Sequence, residues 1–186
     1  ALFILGTLGT AAILITQEYT GARDIRNALN RPQIAAHRGS SLQAPENNIP
    51  AFAKAIEEDA DWIELDVHQT KDGVIVVTHD ESLKRIANVN KNVWALTYKE
   101  LMQYDVGSWF SPEFSGLRVA TLDEVMKLCK DRIKLNIELK PTGHEVDFAQ
   151  HVIDVVRENG YQKHEYILAS LDAQTLRNIK EIDPQI

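Results

Sequence analysis

The fold of this chain follows from residues 62–80, which read WIELDVHQTKDGVIVVTHD. Two runs rich in β-branched residues flank Asp72-Gly73, and an Asp-Gly pair in that position is the strongest short-range signal for a β-hairpin. A parallel pairing of the two runs would need a crossover of about a dozen residues, and the sequence has no such linker there. The stretch therefore predicts an antiparallel hairpin that turns at Asp72-Gly73 and places Asp66 opposite His79.

One face of the first predicted strand is polar. Side chains alternate between the two faces of a strand, so Glu64, Asp66 and His68 share one face and the apolar residues between them share the other. Two carboxylates beside a histidine suit a metal-assisted acid–base site. The hairpin thus predicts chemistry as well as fold.

Composition bounds the class of protein. The chain has 186 residues, the length of one domain or part of one, and 44% of them are hydrophobic, enough for a sizeable core. Its formal net charge of −7 argues against a nucleic-acid partner, because proteins that bind nucleic acid show a basic face. The single cysteine, Cys129, cannot form an internal disulfide and lies in a helical pattern, so we interpret it as a small core residue rather than a nucleophile.

The first sixteen residues are apolar or small, and none is charged. About 20 such residues span a bilayer, and the sequence does not begin with Met, so we interpret residues 1–16 as the end of a transmembrane helix and residues 17–31 as a polar linker. A signal-peptide core or a buried helix would also account for the first segment. The linker carries two acidic residues, which weaken the preference for a cytoplasmic flank that comes from its arginines, Arg23, Arg26 and Arg31.

From Pro32 onward, predicted strands alternate with predicted helices. An inserted excursion at residues 81–120 follows the hairpin and contains one short helix. Capping-box patterns mark two helix starts, Thr97 with Glu100 and Thr121 with Glu124. The predicted strands are 33–37, 62–67, 74–78, 133–140 and 166–169, and the predicted helices are 49–58, 97–103, 122–130, 146–158 and 173–182.

This alternation indicates a parallel α/β fold. The strands have an apolar row and a polar row, and the polar groups gather at their C-terminal ends, which fits a TIM-type (β/α) barrel with its site at that end. Such a barrel has eight strands in about 250 residues. Residues 32–186 supply four barrel strands, because we count the second arm of the hairpin as an appendage and not as a barrel strand. We therefore expect the first half of a barrel here and roughly 80 to 100 further residues in the native protein.

Polar motifs at the strand ends resemble those of a known family. They are His37-Arg38-Gly39, Glu64-Leu65-Asp66, His79-Asp80 and Glu138-Leu139-Lys140, joined by Pro45-Glu46-Asn47, Thr70-Lys71-Asp72-Gly73 and the run GSWFSPEF at 107–114. As an ordered set from about Gln33 to the end of the chain, they resemble the glycerophosphodiester phosphodiesterase family. Asn48 departs from the threonine that the family usually has there, which bears on helix capping and loop shape rather than on chemistry.

The resemblance implies a metal site and an acid–base pair. Glu64, Asp66 and Glu138 would hold one divalent cation, and three carboxylates with no cysteine nearby select a hard ion, Ca²⁺ or Mg²⁺. His37 and His79 would be the catalytic histidines, since histidine with its unperturbed pKa of about 6.5 exchanges protons near neutral pH.

The remaining implied roles concern phosphate and the surroundings of the site. Arg38 and Lys140 would bind the substrate phosphate. Glu46 and Asn47 would orient the first loop or a ligand, or only cap the next helix. His68 would lie behind the ligands or at the rim. We expect no catalytic role for His144, His151 and His164, and we expect the aromatic residues Trp109, Phe110 and Phe114 to pack the excursion onto the barrel rather than line the alcohol pocket.

The expected reaction is hydrolysis of a glycerophosphodiester to glycerol 3-phosphate and an alcohol by a metal-dependent phosphodiesterase. In the family's usual mechanism the neighbouring glycerol hydroxyl attacks phosphorus and water then opens the cyclic phosphate, with His37 favoured as base and His79 as acid. Two alternatives stay open: a lysophospholipase D or teichoic-acid-type phosphodiesterase with the same site, and a non-catalytic binding barrel. We expect a membrane-anchored protein, favour the extracytoplasmic side, and expect a small or lipid-derived diester as partner.

Overall fold

Residues 32–186 are the part of the chain that this computed structural model describes. The strands are β1 (Ala35–His37), β2 (Trp62–Gln69), β3 (Ile75–Val77), β4 (Lys134–Leu139) and β5 (Tyr166–Ala169). The helices are α1 (Ile49–Glu57), α2 (Lys84–Ala87), α3 (Tyr98–Leu101), α4 (Leu122–Cys129), α5 (Phe148–Glu158) and α6 (Ala173–Ile182), with 3-10 turns at Val93–Ala95 and Pro112–Phe114.

The chain divides into two units, Ala1–Gln33 and Ile34–Ile186, and all of these elements lie in the second. The predicted transmembrane segment at residues 1–16 and the linker at residues 17–31 lie outside the described residues. Within residues 32–186, no helix combines the length and the apolar character that crossing a membrane requires.

Four strands form a parallel sheet in the order β1-β2-β4-β5, and β3 pairs antiparallel with β2. The apolar rows of β2 and β4 are buried against α1, α4 and α5 in one core. The members of those rows are Ile63, Leu65 and Val67 on β2 and Leu135, Ile137 and Leu139 on β4. The prediction of a parallel α/β fold is therefore confirmed.

The middle strand, β2, changes partner along one of its edges. Residues Trp62 to Glu64 pair with β1, residues Val67 to Gln69 pair with β3, and β4 runs along the opposite edge. β1 ends at His37, opposite Glu64, and β3 runs the other way and ends at Val77, opposite Val67. The chain segments that carry His37 and His79 therefore approach the middle of β2 from opposite directions.

The hairpin exists as predicted, but its predicted register is wrong by one residue. The loop has three residues instead of two, because Thr70 N donates to Val74 O at 2.9 Å and Gly73 occupies the left-handed region with φ of +87°. Thr78, not His79, therefore stands opposite Asp66, and Thr78 N donates to Asp66 O at 3.0 Å.

Helix starts follow the predicted capping chemistry in most cases. Both capping boxes, at Thr97 and Thr121, are formed. Asn48 is the N-cap of α1, and its side-chain oxygen accepts from Ile49 N at 2.8 Å. The exception is α5, which begins two residues later than predicted because the amide of Gln69 bonds both the N–H and the C=O of Val146 at 2.9 Å.

The excursion at residues 81–120 builds a second, smaller core on the back of β3. Its far end returns to β3, where Val77 N donates to Ala120 O at 2.8 Å. Asp105 fastens its outer loop by accepting from Gly107 N, Ser108 N and Gly116 N. Phe110 packs edge-on against Trp109 and Phe114, both within the excursion.

Candidate active site

The polar residues predicted from the motifs gather at the C-terminal ends of the parallel strands. β1 delivers His37 and Arg38, β2 delivers Glu64 and Asp66, and β4 delivers Glu138 and then Lys140. Asp66 and Glu138 are direct partners in the β2–β4 register, so their side chains share one face of the sheet.

Three carboxylates form one cluster. One oxygen from each of Glu64, Asp66 and Glu138 can be chosen so that all three lie within 4.8 Å of one another. Oxygens bound to a Ca²⁺ ion at roughly 2.3 to 2.6 Å can lie up to about 5.2 Å apart. The cluster is therefore the right size and has the right donor atoms for a hard divalent cation.

Asp66 is the buried centre of this cluster, with 1% of its surface exposed. Asn47 Nδ2 donates to Asp66 Oδ2 at 2.8 Å, and Lys140 Nζ lies 3.1 Å from Asp66 Oδ1. Burial raises the pKa of Asp66, but the hydrogen bonds from Asn47 and Lys140 outweigh it and hold that pKa below its usual value. Asp66 is therefore a carboxylate at neutral pH.

The pKa of Glu64 is shifted in the opposite direction from that of Asp66. Burial disfavours the charged form of Glu64 and the like charge of Asp66 repels it, so both raise the pKa of Glu64. Arg38 N donates to Glu64 Oε2 at 3.1 Å and opposes the rise only in part. A positive charge at the cluster would relieve this repulsion.

Lys140 supplies one such charge on the β4 side. Its Nζ lies 3.1 Å from Asp66 Oδ1 and 3.4 Å from Glu138 Oε2. Burial lowers the pKa of Lys140, but the two carboxylates outweigh it and raise that pKa above its usual value. Lys140 therefore stays an ammonium next to the carboxylate cluster.

The backbone turn at Arg38 depends on the glycine that follows it. Arg38 adopts the left-handed region with φ of +59°, and a Cβ added to Gly39 would lie 2.7 Å from the backbone of Ala51 in α1. Only glycine allows this approach. The turn brings Arg38 Nη1 to 3.0 Å from Glu46 Oε1 and leaves Arg38 Nε 3.5 Å from Asp66 Oδ2.

The two predicted catalytic histidines have different surroundings. His37 Nε2 lies 3.8 Å from Glu64 Oε2, and 69% of the side chain is exposed. His79 Nδ1 lies 2.7 Å from Asp80 Oδ1 and is 30% exposed. His79 is therefore held in one orientation by a carboxylate, whereas His37 is open to solvent.

A cleft of about 610 Å³ opens beside His79. Its walls include Lys140 and His79 but not His37, among the residues that the structure describes. Asp80, Ser82, Arg85 and Thr142 also line it. The cleft offers space for the part of a substrate that lies on the His79 side of the carboxylates.

His68 lines this cleft although only 4% of its surface is exposed. Its Nε2 lies 3.1 Å from His79 O, and burial lowers its pKa. Two of the other histidines take structural contacts, since His151 Nδ1 lies 2.7 Å from Gln69 Nε2 and His144 stacks on Trp94 with 3.7 Å between ring centroids.

The sequence prediction gave no role to two residues of the site: Asp80, which it named only as part of the His79-Asp80 motif, and Arg85, which it did not name. Asp80 holds His79, and Arg85 of α2 donates through Nε to Asp80 Oδ2 and through Nη2 to Glu46 Oε1, both at 2.7 Å. The position of Asp80 directly after His79 was a usable signal. The contact between Arg85 and Glu46 was not, because 39 residues separate them.

Comparison with known proteins agrees with this geometry. The sequence profile of the glycerophosphoryl diester phosphodiesterase family matches residues 37–186. A glycerophosphodiester phosphodiesterase of Caldanaerobacter subterraneus is 38% identical over 156 residues, which cover 82% of this chain and 63% of that protein.

Solved structures of phosphodiesterases are also similar to this chain. A glycerophosphodiester phosphodiesterase from Agrobacterium tumefaciens superposes with a TM-score of 0.76 at 33% identity, over 84% of this chain and 65% of that one. An Oleispira antarctica phosphodiesterase in complex with its product sn-glycerol-3-phosphate superposes with a TM-score of 0.78 at 32% identity, over 82% of this chain and 63% of that one.

This chain spans a little under two thirds of the length of these relatives. The profile match covers most of its residues, and the motifs at His37, Glu64, His79 and Glu138 all lie inside the matched range. The chain belongs to the glycerophosphoryl diester phosphodiesterase family.

Proposed function

We propose that this protein is a metal-dependent glycerophosphodiester phosphodiesterase that hydrolyses its substrates to glycerol 3-phosphate and an alcohol. The observation that carries the proposal is the carboxylate cluster of Glu64, Asp66 and Glu138, flanked by the cations Arg38 and Lys140. A cluster of this kind at the C-terminal ends of parallel strands supports phosphoryl chemistry, and membership of the family supports this particular reaction.

The three carboxylates would hold one divalent cation, Ca²⁺ or Mg²⁺, because all of their donor atoms are hard oxygens. Such an ion would polarise the phosphate and offset the charge that builds up on its oxygens. Asp66, the most buried of the three, keeps its charge through Asn47 and Lys140, so the site would be charged before the ion arrives.

The two histidines would transfer the protons. In the first step His37 takes the proton of the neighbouring glycerol hydroxyl as its oxygen bonds to phosphorus, and His79 gives a proton to the oxygen of the departing alcohol. In the second step water opens the cyclic phosphate and each histidine returns to its starting state. The convergence of their two segments on the middle of β2 supports this pairing.

Arg38 and Lys140 would bind the phosphate oxygens. Arg38 has a planar fork of donors suited to a phosphate, and it is held beside the cluster by Glu46 Oε1 at 3.0 Å from its Nη1 and by Asp66 Oδ2 at 3.5 Å from its Nε. Lys140 would act as a point charge from the opposite side. Both would stabilise the more negative transition state more than the ground state.

We further propose that the parallel sheet belongs to a TIM-type barrel. Two observations support this. The strand order β1-β2-β4-β5 is sequential apart from the hairpin arm, and the candidate site lies at the C-terminal ends of the strands, where barrel enzymes place theirs.

A product assay on the full-length protein tests the proposal. Wild type should release glycerol 3-phosphate from glycerophosphocholine, glycerophosphoethanolamine or another small diester, and it should lose this activity in excess chelator. A lysophospholipid and a polyglycerol phosphate in the same panel test the two alternative substrate classes. Tight binding of a diester without any product would instead indicate a binding barrel.

A further inference from the structure

We propose that Arg85 is a positioning residue of this site, which holds Asp80 against His79 and joins both to the Glu46–Arg38 pair. The inference rests on the proposed function, because it assigns Arg85 a part in that reaction. If it holds, one continuous set of contacts fixes both His79, which would transfer a proton, and Arg38, which would bind the phosphate.

The contacts form a continuous chain from His79 in which two carboxylates alternate with two guanidinium groups. His79 Nδ1 lies 2.7 Å from Asp80 Oδ1, and Asp80 Oδ2 accepts from Arg85 Nε at 2.7 Å. Arg85 Nη2 donates to Glu46 Oε1 at 2.7 Å, and that same oxygen accepts from Arg38 Nη1 at 3.0 Å. Both oxygens of Asp80 are therefore engaged, one by the histidine and one by Arg85.

Arg85 is suited to this role by the shape of its side chain. Exposed ion pairs contribute little to stability, but here one planar guanidinium uses two of its nitrogens on two carboxylates that are distant in sequence, which lysine cannot reproduce in one plane. The guanidinium also lies 5.6 Å from the ring centroid of Trp109, whose cation–π attraction would restrain it from the excursion side.

The consequence for His79 is a fixed tautomer. A carboxylate only accepts, so the oxygen of Asp80 keeps a proton on His79 Nδ1 and leaves Nε2 to exchange a proton with the substrate. If Asp80 were free to rotate, neutral His79 could carry its proton on either nitrogen. Arg85 would prevent that rotation by holding the second oxygen of Asp80.

Kinetics on the full-length protein give the first test. Arg85→Met should lower kcat about 10- to 100-fold and change KM by less than about threefold, because the substrate contacts remain. The kcat of Arg85→Lys should lie between those of wild type and Arg85→Met, since lysine keeps the positive charge but lacks the planar fork of donors. Arg177→Met is the matched control, because Arg177 is an exposed arginine on α6 that donates to Gln174.

Nitrogen-15 NMR of the histidine rings gives a second test that does not depend on turnover. Wild type and Arg177→Met should show neutral His79 with its proton on Nδ1. Arg85→Met should show a mixture of the two tautomers. Added guanidinium ion should restore part of the lost kcat in Arg85→Met, because it can occupy the vacated position between the two carboxylates.

A double variant shows whether Arg85 acts through Asp80. If it does, Asp80→Asn with Arg85→Met should lose no more kcat than Asp80→Asn alone. Fully additive losses with an unchanged His79 tautomer would overturn the inference. So would a kcat for Arg85→Met within twofold of wild type, or a rise in KM alone, which would make Arg85 a direct substrate contact.

Failure of the proposed function would look different. A wild-type protein that releases no glycerol 3-phosphate would refute the reaction, while the tautomer comparison would still decide whether Arg85 orders His79. If Arg85→Met does not fold, the nitrogen-15 spectrum and the kcat of Arg85→Lys take its place. The inference is overturned if Arg85→Lys shows both the His79 tautomer and the kcat of wild type.

Discussion

Asn47 and Asp66 exchange two hydrogen bonds at the centre of the site. Asn47 Nδ2 donates to Asp66 Oδ2 at 2.8 Å, and Asp66 N donates to Asn47 Oδ1 at 3.1 Å. Both residues are almost fully buried, and Asn47 adopts the left-handed region with φ of +53°. The loop after β1 and the centre of β2 are thus fixed to each other by one amide group.

Replacing Asn47 by glycine should therefore destabilise the protein. Glycine tolerates the left-handed backbone, so the change isolates the two lost hydrogen bonds and leaves a buried N–H and a carboxylate oxygen unsatisfied. We expect the free energy of unfolding to fall by about 1 to 3 kcal/mol, measured by urea denaturation in the presence of chelator.

The matched control is Asn88→Gly. Asn88 is also left-handed, with φ of +55°, but its side chain only accepts from Lys84 Nζ at an exposed site. We expect a change within about 0.5 kcal/mol there. Equal losses in the two variants would mean that backbone conformation, not the contact with Asp66, determines the effect.

The carboxylate cluster should bind one divalent cation. Calorimetric titration of the chelator-treated protein with Ca²⁺ or Mg²⁺ should show a single site. Asp66→Asn should weaken that site at least about 10-fold, because it removes the buried charged ligand. Glu158→Gln, an exposed glutamate of α5, should bind as wild type does. Full hydrolytic activity in excess chelator would contradict the metal assignment.

Removing either histidine should stop the reaction without unfolding the protein. His37→Ala and His79→Ala should each lower kcat by about 10²-fold or more, since each loses one proton transfer. His151→Ala should keep wild-type kcat, because His151 contacts Gln69 instead of the site. A wild-type rate in the His37 variant would remove that exposed histidine from the mechanism.

A substrate analogue tests the nucleophile. A diester of 2-deoxyglycerol lacks the neighbouring hydroxyl, so it should bind as a competitive inhibitor and not be cleaved, because an intramolecular nucleophile gains greatly from proximity. Normal turnover of the analogue would instead show direct attack by water on the acyclic diester.

Cys129 should be unreactive in the folded protein. It is fully buried in the main core, and burial raises the pKa of its thiol to about 12. A thiol reagent at pH 8 should label it only as fast as the protein unfolds. The thiol of the unfolded chain ionises at about pH 8.5, whereas the buried thiol stays protonated. The free energy of unfolding should therefore fall as pH rises above that value, and this part of the pH dependence should be missing in Cys129→Ala. Rapid labelling of native protein would contradict this burial.

The sequence predicts the hairpin but not its register. An Asp-Gly pair is compatible with a two-residue loop and with a three-residue loop that ends in a left-handed glycine, and the structure uses the second around Gly73. The choice depends on contacts outside the hairpin, since Lys71 N donates to Leu96 O of the excursion and Tyr98 N to Asp72 Oδ1.

Site residues were predictable where they follow a strand and unpredictable where they meet through space. Glu64 and Asp66 alternate with apolar residues on β2, and Glu138 does so on β4, so the pattern predicts a polar face on each strand. The pairing of Asp66 with Glu138 brings the two faces together. Arg85 has no such pattern, because its position depends on how a four-residue helix packs over the loop that carries Glu46.

The excursion leaves β3 after Val77 and returns to it at Ala120, which accepts from Val77 N at 2.8 Å, while Val76 pairs with Thr121. Its entry and exit are therefore neighbours on one strand, outside the parallel sheet. Doubling the length of an insertion there costs only about 0.6 kcal/mol in loop closure. Evolution can lengthen or exchange the outer part of this segment, and so alter what reaches the cleft, without moving a strand that carries a carboxylate.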